Sequence, residues 1–345
     1  MPNRFLDLFK TQPQDFPMTP ERLDLMATLW PTMPHFATFA TDHRLSGIRL
    51  NRPMVNPSDL AKDLEVLRKT YSTVPMWYDI KSRQIRVAEV HDYPTHLEVT
   101  LNHPISLNVD PARGIPVELK SGSDHAILIA IADDGKRLIF APGKRYGPRS
   151  EVVPGDSMCI RNASLSIQGP LFTDLELEKI EMVKAAGFTR FFLSYVESEE
   201  DVGQFLDLVG HDATVMLKIE SPKGMTYVRK SFKPQPNVRL MAARGDLYVE
   251  LPRPHHILQA LEEIIQKDPE ACVGSRIFLS LGQKNPITGE PQDTPECADF
   301  SELAYLYNAG FRTMMLCDHV CLDDRTLSIA IAAFDSFRQD YALVL

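Results

Sequence analysis

The run Val215–Glu220 (VMLKIE) has the composition of a buried β-strand that ends in charged residues. Because successive side chains of a strand alternate between its two faces, Lys218 and Glu220 point to one side, while Leu217 and Ile219 point to the other. In a parallel barrel, active-site residues lie at the carboxyl ends of the strands. The run therefore predicts a barrel strand that carries a Lys–Glu pair into a functional site, although an ordinary ion pair fits the same spacing.

The next predicted strand ends in the sequence ARGDL at residues 243–247, which brings a second carboxylate, Asp246, to the same rim. Two hard oxygen ligands beside a lysine, completed by water and substrate, are typical of a Mg2+ or Mn2+ site. Glu220 and Asp246 are the candidate metal ligands. The alternative interpretation is a Lys–Glu ion pair next to a surface Arg-Gly-Asp turn.

Short β-type runs alternate with helical patterns from residue 23 onward, which is the signature of βα units. The eight predicted strands, enough to close a barrel, are 23–28, 47–51, 76–80, 190–195, 215–219, 240–243, 276–280 and 313–316. The helices predicted between them are 57–67, 175–186, 201–209, 255–266, 299–309 and 322–337.

One segment, residues 88–170, breaks this alternation, because it holds several β-like runs and many turn residues but no convincing helical pattern. We interpret it as a small β-domain inserted after the third strand. Residues 1–22 are Pro-rich and polar and indicate an N-terminal arm. The predicted fold class is therefore α/β, a (β/α)8 TIM barrel formed by residues 23–87 and 171–345, close to the roughly 250 residues typical of such barrels.

The composition is that of a soluble globular protein: 345 residues, 44% of them hydrophobic and 24% charged, with a formal net charge of -9. So acidic a chain is a poor general partner for nucleic acid or anionic membranes, and local basic clusters favour a small anionic substrate. No run is apolar enough to span a membrane, the start lacks the apolar core of a signal peptide, and the five cysteines have no zinc-site spacing. The prediction is a cytoplasmic protein with reduced thiols, and a homo-oligomer is left open.

Several short motifs, in the order of the chain, resemble those of pyruvate kinases. LKIE at 217–220 followed by ARGDL at 243–247 is similar to that family's metal and substrate signature. The other matching pieces are TLWP at 28–31, RLN at 49–51, DIK at 79–81 with IR at 85–86, DDG at 133–135 and FTD at 172–174. DDG is also the commonest kind of hairpin turn, and we favour that interpretation. The resemblance covers roughly residues 23–338 and implies a divergent member without the family's C-terminal regulatory domain.

The resemblance implies a role for each matching residue. Lys218 would stabilise an enolate and a phosphoryl group in transfer, and Glu220 and Asp246 would hold the divalent metal. The backbone N–H groups of Gly245 and Asp246 would receive the substrate carboxylate. Arg49 would contact the phosphoryl group.

Arg86 would lie near Arg49 and also bind substrate. The second half of the family's site would hold ATP or ADP beneath the inserted domain. The lysine-bearing stretch expected there is missing, and the basic loop GKRYGPR at 143–149 stands in its place. Nucleotide binding is therefore left open, as is a role of this loop as a lid rather than a solvated turn.

The family's monovalent-cation site is incomplete in this sequence. Asn51 and Asp79 remain as candidate ligands for K+, but Pro53 and Ile80 stand where hydroxyl ligands are expected and cannot supply them. The sequence therefore argues against a K+ site. Arg52 is a candidate to place a positive charge there instead.

Two further strand ends depart from the family pattern. Ser280, in LSLGQ at 279–283, approximates a threonine that assists proton transfer to the enolate. Asp318 and His319 follow the eighth strand, where His319 is a candidate proton-transfer group because histidine titrates near neutrality, although histidines at strand ends are more often simply hydrogen-bonded.

Three functions follow from these residues. The first is a Mg2+-dependent enzyme of pyruvate kinase type, acting on phosphoenolpyruvate, pyruvate or a related 2-keto acid through a metal-stabilised enolate. The second is a nucleotide-independent C–C lyase or aldolase that uses the same enolate. The third is a catalytically silent relative that binds a keto acid.

Overall fold

The computed structural model describes residues 23–342, with the exception of residues 111, 163, 285–288 and 291. The predicted arm, residues 1–22, lies outside the described residues.

Eight parallel strands close into a barrel: β1 (Asp24–Thr28), β2 (Leu45–Leu50), β3 (Met76–Ile80), β4 (Arg190–Leu193), β5 (Thr214–Ile219), β6 (Val238–Ala243), β7 (Cys272–Gly274) and β8 (Thr313–Met315). Each strand pairs with the next in the chain, and β1 closes the barrel by pairing with β8, with Asp24 opposite Thr313. The predicted α/β TIM-barrel fold is confirmed.

In the part of the chain that the structure describes, eight longer helices surround the barrel: α1 (Pro57–Lys69), α2 (Asp174–Ala185), α3 (Glu199–Val209), α4 (Pro222–Lys230), α5 (Arg244–Glu250), α6 (His256–Lys267), α7 (Cys297–Ala309) and α8 (Asp324–Phe337). Short α-helical turns lie at Phe36–Phe39 and Gly143–Tyr146. Thr173 caps α2, and Ser198 forms a capping box with Asp201 at the start of α3, as their side chains favour. The sequence patterns missed α4 and α5, which begin within three residues of their strands.

The seventh strand is not where the sequence pattern predicted it. Residues 276–280 include the apolar run IFL, but Arg276 and Phe278 have φ values of 67° and 54°, which an extended strand excludes. The strand is instead β7, a fully buried stretch before this loop. Ser280 therefore lies in a short 3-10 helix, Leu279–Gly282, and not at the end of a strand.

The interior of the barrel is filled by four methionines, two aromatic rings and a cysteine. They form a compact cluster of Met26, Trp77, Phe192, Met216, Met241, Cys272 and Met315. The larger apolar core lies between the outer face of the barrel and its helices. The barrel is thus filled below its mouth, which leaves polar side chains at the carboxyl ends of the strands.

Between β3 and α2 the chain forms a separate six-stranded antiparallel sheet. In spatial order its strands are Met158–Cys159, Ile115–Leu119, Asp124–Ala132, Arg137–Phe140, His96–Leu101 and Val87–Tyr93. A second, two-stranded sheet pairs Ile105–Ser106 with Ser166–Ile167. The six-stranded sheet has its own apolar core, and its two ends meet where Arg86 forms an isolated bridge with Ser157.

The DDG sequence forms the turn that joins two paired strands of this sheet, so the turn interpretation is confirmed. Gly135 has a φ of 89°, and a Cβ placed there would lie 1.9 Å from the backbone oxygen of Ile105. Only glycine fits both the conformation and the space. The basic loop at 143–149 contributes a short helix to the same domain. None of the described helices is both long and apolar enough to cross a membrane.

Candidate active site

The end of β5 brings Lys218 and Glu220 together at the mouth of the barrel, as the alternation of the strand predicted. Lys218 Nζ lies 2.9 Å from Glu220 Oε1 and 3.6 Å from Asp79 Oδ2. It also donates a hydrogen bond to Ser194 Oγ at 3.1 Å. Lys218 and Glu220 are almost wholly buried, with 5% and 1% of their side chains exposed, so water screens their charges little.

The two oxygens of Glu220 have different partners. Its Oε2 accepts a hydrogen bond from the backbone N–H of Tyr195 at 2.6 Å. Its Oε1 forms an ion pair with the Lys218 ammonium at 2.9 Å and has no other partner among the described residues. Burial raises the pKa of Glu220, and the charge of Lys218 works against that rise.

Asp246 lies in the first turn of α5, next to Gly245, and links the barrel to the inserted domain. Ser121, from the inserted domain, donates a hydrogen bond to Asp246 Oδ1 at 2.5 Å. Burial alone would raise the pKa of Asp246, but Lys218 and the Ser121 hydrogen bond bring it below its usual value. Asp246 is therefore an ionised carboxylate near Lys218. We name Lys218, Glu220 and Asp246 the Lys218 cluster.

The Lys218 cluster fits a hard divalent cation. Among the residues that the structure describes, no group of three or more His, Cys, Asp or Glu side chains is arranged as a complete metal cage. Mg2+ does not require one, because it is commonly bound by one or two carboxylates together with water and substrate. Glu220, whose Oε1 contacts only Lys218 among the described residues, and the ionised Asp246 would supply such a pair.

A closed ring of hydrogen bonds and ion pairs lies beside this cluster, and we name it the Arg49 ring. Arg49 contacts Asp79 through Nε at 2.7 Å and through Nη2 at 2.5 Å. From Asp79 the ring continues to Lys81 Nζ at 2.8 Å and then to Asn51 Oδ1 at 2.7 Å. Asn51 Nδ2 donates to Asp318 Oδ2 at 2.7 Å, and Asp318 Oδ1 returns to Arg49 Nη1 at 2.8 Å.

Lys81 occupies the place between the two predicted monovalent-cation ligands, Asn51 and Asp79. Burial lowers the pKa of Lys81 to about 7, although Asp79 opposes that fall. Burial would raise the pKa of Asp79, yet Lys218, Lys81 and Arg49 hold it well below its usual value. The prediction that Arg52 places a charge here is wrong, because its Nη1 lies 2.7 Å from Asp63 on α1.

Arg86 lies where the inserted domain joins the barrel. Its Nη1 donates to the backbone oxygen of Gly155 at 2.7 Å, and its Nη2 donates to Gln84 Oε1. Gln84 and Arg86 both lower the pKa of Asp246, the metal-ligand candidate. The Nε of Arg86 has no hydrogen-bond partner among the described residues.

The remaining two predicted residues lie in loops after β7 and β8. Ser280 Oγ donates to the buried carboxylate of Asp299 at the start of α7. His319 is exposed, and its ring packs close to Gly282. The structure brings Asp318, rather than its neighbour His319, onto Arg49. Proton transfer by Ser280 or His319 stays a prediction.

Sequence similarity points to one family. The chain is 25% identical over 240 residues to the pyruvate kinase of Methanocaldococcus jannaschii, a match that covers 66% of this chain and 50% of that protein. It is 26% identical over 293 residues to the pyruvate kinase of Thermoplasma acidophilum, covering 78% and 51%. A shorter match, 33% identical over 133 residues, links it to the pyruvate kinase of Methylorubrum extorquens, covering 37% of this chain and 27% of that protein.

The chain spans about half the length of the first two relatives. No family model matches the sequence. Together these matches support a divergent pyruvate kinase-like relative that corresponds to part of the curated proteins.

Proposed function

We propose that the chain is a Mg2+-dependent enzyme that forms the enolate of pyruvate or of a related 2-keto acid. One observation carries the proposal: the buried Lys218 ammonium lies 2.9 Å from Glu220 Oε1, an oxygen with no other partner among the described residues. A cation and a carboxylate oxygen with remaining lone pairs at one point suit a metal and a substrate oxygen that share the negative charge of an enolate. The similarity to pyruvate kinases supports the same chemistry.

In this proposal Glu220 and Asp246 hold the metal, which when bound supplies Lewis-acid polarisation of the keto oxygen. The Lys218 ammonium stabilises the negative charge that develops on that oxygen as the methyl proton is transferred to solvent. Ser280 and His319 are the candidate carriers of that proton. Such fixed charges act strongly in a water-poor site, because the protein does not have to reorganise around them during the reaction. The first-turn N–H groups of Gly245 and Asp246 on α5, which have no intrahelical acceptor, receive the substrate carboxylate.

Phosphoryl transfer from phosphoenolpyruvate to a nucleotide is the activity that the relatives' names suggest. The alternative, a C–C lyase or aldolase without nucleotide, is favoured by the Arg49 ring. Arg49 was the predicted phosphoryl ligand, but Asp79 and Asp318 already engage its guanidinium. We therefore place enolate formation first and leave the bond that is made or broken afterwards to experiment.

The deciding experiment follows the exchange of deuterium from solvent into the methyl group of pyruvate by NMR, with Mg2+ and without nucleotide. We expect exchange that EDTA abolishes and oxalate, an enolate analogue, inhibits. Rapid, K+-stimulated formation of ATP from phosphoenolpyruvate and ADP would assign the ordinary kinase reaction instead. Oxalate binding without either activity would point to a silent keto-acid-binding protein, and neither binding nor activity would contradict the proposal for pyruvate.

A further inference from the structure

We propose that Asp318 is a specificity residue that keeps phosphate esters away from Arg49, so that the site takes a 2-keto acid without a phosphoryl group. The inference rests on the proposed function and names the substrate class of the same site.

Asp318 lies between Arg49 and the solvent. Its side chain is 52% exposed, whereas that of Arg49 is only 7% exposed. The two contacts of Asp318, with Arg49 Nη1 at 2.8 Å and with Asn51 Nδ2 at 2.7 Å, hold its carboxylate against the ring. A ligand that enters from the mouth of the barrel therefore meets the carboxylate of Asp318 before the guanidinium of Arg49.

Four of the five N–H donors of Arg49 are already engaged. Nε and Nη2 face Asp79, while Nη1 faces both Asp318 and Thr28 Oγ1, the latter at 3.3 Å. Recognition of a phosphate by arginine normally uses two parallel N–H groups of the guanidinium. A phosphoryl group could obtain a second N–H only by displacing the carboxylate of Asp318.

The net charges of the Arg49 ring and of the Lys218 cluster lead to the same conclusion. In the Arg49 ring, the cations Arg49 and Lys81 face the carboxylates Asp79 and Asp318, so little positive charge is left for a ligand. Around the Lys218 cluster, Arg86 adds a second cation, so that the two positive charges of Lys218 and Arg86 balance the two carboxylates of Glu220 and Asp246. A bound divalent cation would then supply the excess positive charge, which suits one carboxylate and one developing enolate.

A phosphate ester adds further negative charge close to Asp318, and like charges placed together oppose binding. Discrimination of this kind comes from a repulsive group and not only from better contacts to the preferred substrate.

The test compares the binding of phosphoenolpyruvate and pyruvate to wild type, Asp318→Asn and Asp318→Ser by calorimetry in Mg2+. Asp207→Asn is the matched control, because it removes one carboxylate from an outer helix, where 74% of the side chain is exposed. We expect both Asp318 variants to bind phosphoenolpyruvate at least about tenfold more tightly than wild type, with pyruvate affinity changed by less than about threefold. The Asp207→Asn control should change neither the phosphoenolpyruvate affinity nor the pyruvate affinity. Thermal melts establish that each variant is folded.

Unchanged or weaker phosphoenolpyruvate binding in folded Asp318 variants that still bind pyruvate would overturn the inference. A measurement on wild type gives a second test: millimolar inorganic phosphate should not displace pyruvate, and clear competition would also overturn it. Failure of the proposed function looks different. If wild type shows no methyl exchange but the Asp318 variants gain affinity for phosphoenolpyruvate, the specificity role stands and the enolate chemistry does not.

Discussion

The Lys218 cluster and the Arg49 ring lie side by side and both contact Asp79, yet they differ in how their polar atoms are satisfied. In the cluster, Glu220 Oε1 meets only the Lys218 ammonium among the described residues. In the ring, each side chain contacts the next, from Arg49 back to Arg49. A carboxylate oxygen with one partner can still accept a metal ion, whereas a closed network leaves few polar groups for a ligand.

This difference distinguishes charged residues that we expect to act in catalysis from charged residues of the same type that support the site. Lysine occurs in both groups, but Lys218 pairs with a carboxylate oxygen that has no other partner among the described residues, while Lys81 fills the space between two oxygen ligands. We therefore expect substitutions in the Lys218 cluster to alter chemistry and metal binding. Substitutions in the ring should alter stability and ion response and, at Asp318, the affinity for phosphate esters.

The largest effect is expected for Lys218→Met. Loss of one fixed charge at a developing enolate should reduce the rate of pyruvate methyl exchange by about 10²–10³-fold, or about 3–4 kcal/mol of barrier. NMR exchange rates measure the loss, and circular dichroism shows whether the fold is intact. Lys223→Met is the control, because Lys223 lies on α4 with 74% of its side chain exposed. A folded Lys218→Met enzyme that retains more than about a tenth of the wild-type rate would contradict the role.

The next effect concerns metal affinity in the Glu220→Gln, Asp246→Asn double variant. Removal of two carboxylate ligands should weaken Mg2+ binding by about 100-fold or more, since loss of even an outer-shell partner costs 10–100-fold. Calorimetry without substrate measures the affinity. The matched control is Glu89→Gln with Asp92→Asn in the inserted sheet. Equal Mg2+ affinity in wild type and the site variant would place the metal elsewhere.

The Arg49 ring should make the free energy of unfolding depend on pH. The pKa of Lys81 is about 7 in the folded chain, against an ordinary value of 10.5, so between these values the unfolded chain binds more protons. Stability should therefore rise with pH above about 7, by on the order of 2 kcal/mol between pH 7 and 9, and Lys81→Met should lose this rise. Urea unfolding at the two pH values measures it, with Lys62→Met on α1 as an exposed control. A parallel pH dependence in wild type and Lys81→Met would contradict the assignment.

The smallest effect is expected for potassium. Because the Lys81 ammonium already lies between Asn51 and Asp79, exchange of K+ for tetramethylammonium should change wild-type activity by less than about twofold. Lys81→Ala opens that space, so its melting temperature should respond to K+. Strong K+ stimulation of wild type, or no K+ response in folded Lys81→Ala, would count against Lys81 as a built-in cation.

Much of the Lys218 cluster could be predicted from sequence, because strand alternation and strand ends determine where those side chains lie. Lys218 and Glu220 are two positions apart in one strand, and Asp246 follows the adjacent strand. The Arg49 ring could not be assembled in this way. Its closure depends on the side-chain conformations of residues from three strand ends, and the only local signal for Lys81 was its position two residues after Asp79.

The error at the seventh strand has a similar cause. Hydrophobicity alone cannot distinguish the strand Cys272–Gly274 from the apolar loop that follows, since Ile277 and Phe278 are as deeply buried as the strand. The left-handed conformations of Arg276 and Phe278 separate the two, and neither residue type signals such a conformation. The contact of Ser121 with Asp246 was also beyond prediction, because it depends on how the inserted domain lies over the barrel.

The meeting of the two ends of the inserted sheet has a consequence for how the chain folds. Strands β3 and β4 are neighbours in the barrel, with Phe191 opposite Tyr78, although the whole inserted segment separates them in sequence. A flexible loop of that length would impose an entropic cost on their pairing. The bridge between Arg86 and Ser157 brings the ends together as soon as the sheet forms. We therefore expect the sheet to fold early and to convert a long-range contact into a nearly local one, so that barrel closure proceeds as if the connection were short.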